Sequence, residues 1–403
     1  MNVVIAGPFG HGTLSDEAVL AGLLRHLQAR KHTAVVLSAD PPHTEEIHGV
    51  SAVQAAAPGS LLSAKEFWNA LGKAHLLVLA SGGVVSAAGQ PPARSWLAVL
   101  EHAQVAGLQT AVVGVGAVQI DDPKERARVR RLLHFFAGGL SARDEGSKQA
   151  LMSYGLGACN ISACGDPALA LGSAVGLKPE PSRIGIVLAQ SLPSRSGFGV
   201  EQNAAAPSPA AALQGLLAGI LSPSPLPNGE TEKWAVTLFH DATAPARALA
   251  HALTSGPAGE RLTTLAADCA PAEIQARMAE CSAIFSLSLH GLILAAGAGV
   301  PVAGCAGEPG AAAFLSALGL GRFALPVHDG AFAAADAVTA LRELLARAAE
   351  LRLSIAAKLA GLRKKEAQNE RMMGLLVPRR VARARGKRIS FQGDEEDQDG
   401  NRH

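Results

Sequence analysis

Residues 283–307 read AIFSLSLHGLILAAGAGVPVAGCAG, and the interpretation of this stretch decides the fold. It is the most membrane-like part of the chain, yet His290, several glycines and Pro301 interrupt it. A spanning helix needs about 20 consecutive apolar residues, so a span is the weaker reading. The stretch divides into an apolar run at 283–287, an Ala-rich helical pattern, a Gly299-Val300-Pro301 break and a second apolar run at 302–305. Short apolar runs separated by a helix are the mark of strands buried on both faces of a parallel sheet. The unit is β–α–β, and it places His290 at a strand C-terminus and a helix N-terminus.

The same unit recurs on both sides. Further strands are predicted at 184–189, 234–239, 262–266 and 323–326. In the first half, strands at 2–6, 33–37, 76–80, 110–115, 139–142 and 160–163 alternate with helices at 16–28, 64–71, 95–105, 123–136 and 143–153. Residues 178–182, with two prolines and no apolar period, read as a linker. The predicted class is therefore α/β, with two Rossmann-like doubly wound domains facing across a cleft. The expected boundaries are 1–177 for the first domain and 178–333 for the second. A long amphipathic helix follows over 334–377, interrupted near Gly361, and then a disordered tail over 378–403. Residues 190–212, rich in Ser, Gly, Pro and Ala, read as a mobile loop at the carboxyl end of the second domain's first strand.

The chain has 403 residues, 48% hydrophobic and 17% charged, which suits two domains with large buried sheets. A net charge of +2 and 4% aromatic residues give no basis for nucleic-acid binding. The charge is concentrated at one end, where basic Arg379–Arg388 precedes acidic Asp394–Asp399. The basic run can hold the protein at an anionic membrane leaflet; a solvated tail is the alternative. Five scattered cysteines without CxxC spacing predict reduced thiols, with neither disulfides nor zinc. Residues 2–6 enter a strand at once without a signal-peptide pattern. A cytoplasmic protein is expected, with no metal or cofactor, since no His/Asp/Glu spacing forms a ligand set.

Two loops carry candidate chemistry. The first, Gly7-Pro8-Phe9-Gly10-His11-Gly12-Thr13-Leu14-Ser15-Asp16-Glu17, joins a strand to a helix. Its GxxGxG order is not a dinucleotide fingerprint, although Asp40 follows the second strand where a ribose is often held. Ser15, Asp16 and Glu17 fit either ligand binding or ordinary helix capping. The second loop is Ser286-Leu287-Ser288-Leu289-His290-Gly291. Free amides at such a helix start favour anions, and His290 can serve there as acid, ligand or structural hydrogen-bonder.

These loops also carry a resemblance. SLHGLILAAGAGVPVAGCAGEPGAAAFLSALGL, starting at Ser288, resembles the polysaccharide pyruvyl transferase pattern RLHxLIxAAxxGVPVVGxxYDPKVxxFLxxLGL. GPFGHGTLSDEAVLAGLL resembles that family's GYxGxGNxGDEAIL. Leu140–Ser147 (LSARDEGS) resembles xxxRDEES, Gly165-Asp166-Pro167-Ala168 resembles xxDPAF, and Phe239-His240-Asp241 is similar to a histidine-acid segment of the second domain. The resemblance implies a fold like the two-domain glycosyltransferases. It also implies transfer of a pyruvyl group from phosphoenolpyruvate onto a sugar of a cell-envelope polysaccharide or its lipid-linked precursor, with S-layer anchoring as one setting. On this basis His290 and Arg143 are the catalytic candidates, and Arg143, Ser288, His290, Glu308 and Arg195 the donor-binding set. Gly10, Gly12, Asp16 and Glu17 form the acceptor side, and Asp166 matches a further motif acid.

Several family positions are altered. The arginine of RLH is Ser288, the lysine of YDPK is Gly310, its tyrosine is Gly307, and a basic residue after the second domain's first strand aligns with Gln190. The asparagine and glycine of NxGDE are Thr13 and Ser15. Arg195 is expected to supply a missing cation. Two other functions stay open: a catalytically reduced paralogue that binds a glycan or partner enzyme, and a nucleotide-sugar glycosyltransferase of the same fold.

Overall fold

The structure, a computed structural model, describes residues 1–55, 65–80, 93–134, 139–172, 180, 182–188, 209–222, 224–225, 231–232, 234–255, 259–308, 310–328 and 331–376. The first domain contains β1 (Asn2–Phe9), α1 (Leu14–Ala29), β2 (Thr33–Ser38), α2 (Pro41–His48), β3 (Ser51–Gln54), α3 (Lys65–Lys73) and β4 (Leu76–Ala80). It continues through α4 (Ala93–Val105), β5 (Gln109–Val115), α5 (Pro123–His134), β6 (Leu140–Ala142), α6 (Glu145–Ser153), β7 (Ser162–Ala163) and a 3-10 segment, Pro167–Leu171. Its seven strands form one parallel sheet in the order β3-β2-β1-β4-β5-β6-β7.

The second domain begins with β8 (Arg183–Val187) and α7 (Pro209–Leu221), followed by a small hairpin of β9 (Ser224–Pro225) and β10 (Thr231–Glu232). Then come β11 (Ala235–His240), α8 (Ala244–Thr254), β12 (Leu262–Ala266), α9 (Pro271–Ala279), β13 (Ala283–Ser286), α10 (Leu289–Gly297), β14 (Val302–Cys305), α11 (Ala311–Ala317) and β15 (Ala324–Leu325). The parallel order β12-β11-β8-β13-β14-β15 is the 3-2-1-4-5-6 arrangement of a dinucleotide-binding sheet. Residues 283–305 are thus β13-α10-β14, and all nine residues of α10 are buried. A helix apolar on every side belongs in an interior, and here the interior is protein.

In each sheet the strand order reverses beside the first strand, between β1 and β4 and between β8 and β13. Ligands of open α/β sheets bind outside the carboxyl strand ends at such points. The loops β1–α1 and β13–α10 therefore occupy the places where the fold puts function.

The domains share a core. Leu14, Ala18, Ala168 and Leu169 of the first domain belong to the same apolar cluster as β8, β11, β13 and α10. The C-terminal segment ties them further. It is two helices, α12 (Ala334–Ala346) and α13 (Ala348–Leu375), broken at Arg347. The expected interruption at Gly361 falls inside continuous α13, where nothing lies near enough to crowd a side chain. After α12 packs on the second domain, α13 returns to the first. Buried Glu366 accepts from His26 of α1 at 2.7 Å, and buried Asn369 accepts from Ser141 of β6 at 2.6 Å and donates to the Gly165 carbonyl at 3.1 Å. These bonds join residues far apart in the chain, so no local pattern encodes them.

In the first domain α2 and β3 were not expected, and neither was the β9–β10 hairpin of the second. Asp40 accepts from His43 N as the α2 N-cap, Pro41 follows, and Gly49 ends the helix at φ +60°. Asp40, the residue that kept a ribose reading open, is thus a helix cap. The expected loop 190–212 is helical from Pro209, and its remainder, with Gln190 and Arg195, lies outside the described residues. The basic and acidic tail lies outside them too.

Candidate active site at the domain boundary

The carboxyl ends of the two sheets meet face to face. Ala242 N, after β11, donates to the Gly12 carbonyl at 2.7 Å, and Leu14 N donates to Asp241 Oδ1 at 2.7 Å. Gly12 has φ +68°, and a Cβ there would come within 2.9 Å of Ala242 Cβ. Its missing side chain serves close approach of the second domain. Gly10 is likewise filled by its own domain, since a Cβ would strike Ser38 Oγ and the Asp40 amide.

Around this junction, residues expected to bind ligand are partly taken up by the protein. Thr13 caps α1: its hydroxyl accepts from Asp16 N at 3.4 Å and donates to Asp16 Oδ2 at 2.7 Å. Glu17 is 2% exposed; it accepts from Gly10 N at 2.9 Å and pairs with buried His48 at 2.8 Å. Its carboxylate is a strut beneath the loop. In the second loop, Ser288 caps α10 by accepting from Gly291 N at 3.1 Å, and Glu308 accepts from Leu289 N at 2.6 Å. The amides expected to await an anion are met by these two side chains. Thr13 and Ser288 both stand where the family pattern has another residue, and both are N-caps. A cap contributes about 1 kcal/mol to a helix.

The catalytic candidates come together across the boundary. His290 Nε2 lies 3.1 Å from Asp166 Oδ2, with both side chains at most 4% exposed. Asp166 precedes the 3-10 segment of the first domain and also accepts from Ala168 N at 2.9 Å. Burial opposes ionisation of Asp166, but the His290 charge and hydrogen bond, with Arg143 nearby, outweigh it and hold the carboxyl below its ordinary range. For His290, burial likewise opposes charge; Asp166 and then Glu308 overcome it and raise the imidazole above 6.5. Each partner thus favours the charged form of the other. His290 Nδ1 is buried and has no hydrogen-bond partner among the described residues. Such an atom in a native fold needs an explanation, and a ligand is one.

Asp241 behaves oppositely. Burial is the main cause raising its pKa to about 6; the Leu14 amide opposes the rise, Asp16 adds to it, His290 opposes it and Glu308 adds again. A carboxyl with that value exchanges its proton near neutrality, as acid–base work requires. The sequence marked this histidine-acid segment without assigning it a role.

Beside the pair is a cavity of about 260 Å³. Arg143, Asp144, Glu145 and Asp166 line it from the first domain, Leu289, Ile293, Gly310 and Phe314 from the second, and Leu362 and Lys365 from α13. His290 itself is not a wall residue, though its neighbours Leu289 and Asp166 are. Arg143 follows β6 and its guanidinium contacts Asp144 at 3.4 Å. Asp144 caps α6 by accepting from Ser147 N at 2.6 Å. Gly310 meets this group from across the boundary at φ +92°, where a Cβ would lie 3.0 Å from Asp144 Oδ2 and 3.3 Å from Arg143 Nη2. Among the described residues there is no group of three His, Cys, Asp or Glu placed to hold a metal, and no helix is long and apolar enough to cross a membrane.

Fold and junction together define a two-domain, GT-B-like protein whose candidate site is shared between its halves. The Anabaena protein HepE in complex with UDP-glucose has this fold, with a TM-score of 0.57 at 12% identity over 93% of this chain and 100% of that one. UDP-GlcNAc 2-epimerase from Neisseria meningitidis bound to UDP-GlcNAc gives 0.55 at 11% identity, covering 93% and 99%. S. aureus MnaA with UDP gives 0.56 at 13%, covering 92% and 91%. Comparison with curated protein sequences gives no match. The polysaccharide pyruvyl transferase family model matches residues 16–309, and the chain belongs to that family.

Proposed function

We propose that this protein transfers a pyruvyl group from phosphoenolpyruvate to two hydroxyls of one sugar in a cell-envelope polysaccharide or its lipid-linked precursor. The reaction balances simply. A proton adds to the methylene carbon, two hydroxyl oxygens bond to the adjacent carbon, and phosphate leaves. The two hydroxyl protons end on the new methyl group and on phosphate, and the product is a ketal.

The observation that carries the reading, beyond the family match, is the buried His290–Asp166 ion pair beside a cavity lined by Arg143. Arg143 is the cation for a carboxylate or phosphate, whose planar oxygens suit a guanidinium. His290, whose protonated form Asp166 favours, is the acid for the methylene, with Nδ1, unpartnered among the described residues, as its free position. Asp241, with a pKa of about 6, is the base that takes a proton from the acceptor hydroxyl, and Asp16 shares that side of the cleft. Ser288, Glu308 and Glu17 act one step back, holding the loops that carry these groups.

The test mixes purified protein, phosphoenolpyruvate and a lipid-linked amino-sugar disaccharide, and follows phosphate and product mass. Phosphate release with a pyruvyl mass gain, abolished in His290→Ala and Arg143→Ala, is expected. Absence of release, with a nucleoside diphosphate protecting the second domain from proteolysis, would move the assignment to nucleotide-sugar transfer. Absence of both would leave a binding protein.

A further inference from the structure

The cavity poses an electrostatic problem. Its donor is highly anionic, yet the first-domain wall sets Arg143 against Asp144, Glu145 and Asp166. The cation the family carries in YDPK is Gly310 here. That position could not regain a side chain cheaply, because its backbone is left-handed and its Cβ direction runs into Asp144 and Arg143. One positive side chain remains on the wall, Lys365. It comes from α13, beyond the residues matched by the family model. Lys365 is exposed and makes no ion pair or hydrogen bond among the described residues, whereas Arg143 already contacts Asp144.

We propose that Lys365 is the second cation of the donor cavity and binds the phosphate of phosphoenolpyruvate, while Arg143 binds its carboxylate. The site is then completed by the returning helix. α13 is held in place by Glu366 and Asn369, whose bonds to His26, Ser141 and Gly165 fix the helix next to the cavity wall. On the same wall, Leu289, Ile293 and Phe314 give an apolar surface for the methylene. A lysine is a compact point charge on a long stem and can reach a phosphate without a planar match. The loss of a family lysine at 310 is thereby offset by one from a different element.

This rests on the pyruvyl-transfer reading, so the test separates the two. Binding of phosphoenolpyruvate and of pyruvate, which lacks the phosphate, is measured by calorimetry and ligand-observed NMR on the full chain. Wild type, Lys365→Ala, Lys365→Arg and Arg143→Ala are compared. Loss of one charge-assisted contact predicts about 10- to 100-fold weaker phosphoenolpyruvate binding in Lys365→Ala, with pyruvate binding unchanged and Lys365→Arg largely restored. Arg143→Ala should weaken both ligands. In turnover, Lys365→Ala should raise KM for the donor while kcat stays within a few-fold. Unchanged phosphoenolpyruvate affinity in Lys365→Ala, or equal loss of both ligands, overturns the assignment while leaving the transferase reading intact. A wild-type protein that binds neither ligand overturns both.

Discussion

Replacing Asp241 by Asn should make the protein more stable and less active, and the gain should depend on pH in a defined direction. The folded carboxyl has a pKa of about 6 against roughly 3.9 in an unfolded chain. Because the folded value is raised, its favourable contribution is complete below 3.9 and is lost as pH rises through about 6. Above that, the fold carries a buried charge that costs about 3 kcal/mol, two pKa units at 1.36 kcal/mol each. Asparagine keeps an oxygen for the Leu14 amide but weakens a charge-assisted bond by about 1 kcal/mol. The expected net gain at pH 8 is about 2 kcal/mol, or on the order of 4–8 °C in Tm for domains of this size. Thermal melts of wild type and variant from pH 4 to 8.5 measure it. The curves should meet near pH 4 and separate through pH 6. A variant less stable at pH 8, or a difference that ignores pH, would refute the origin given for the shift. In the same protein kcat should fall by about 10²–10⁴, and the wild-type rate should rise with pH through about 6 as the base ionises.

Other expectations follow from the same contacts. Asp166→Asn leaves His290 buried without its counter-charge and should cost about 3–5 kcal/mol in urea melts. That cost should shrink as pH rises, because His290 contributes stability below 6.5 and loses it through its raised folded value. Gly310→Ala should destabilise by about 1–2 kcal/mol, since φ +92° is poor for any side chain and Asp144 stands 3.0 Å away; an unchanged Tm would show that α11 can shift. Asn369→Ala strands the Ser141 hydroxyl and the Gly165 carbonyl, so a loss of about 2–4 kcal/mol is expected. Hydrogen exchange should show the release first in α13.

What could be read in advance was whatever repeats along the chain. Strands β4 and β14 begin and end where the apolar runs do, because a strand buried on both faces must be apolar at every residue. Strand–helix alternation then determined two parallel sheets; a strand end marked His290 as a candidate, and the family resemblance marked Arg143. Short elements with half-buried faces, such as α2 and β3, left no such trace. Neither did the break at Arg347, whose residues keep a helical pattern on both sides. The partners were decided only in three dimensions. Asp166 and His290 are 124 positions apart, and Lys365 reaches the cavity because α13 crosses back to the first domain. Periodicity is a property of neighbours in the chain, whereas a charge pair, a shifted pKa or a shared cavity depends on distances that exist only after the sheets have docked.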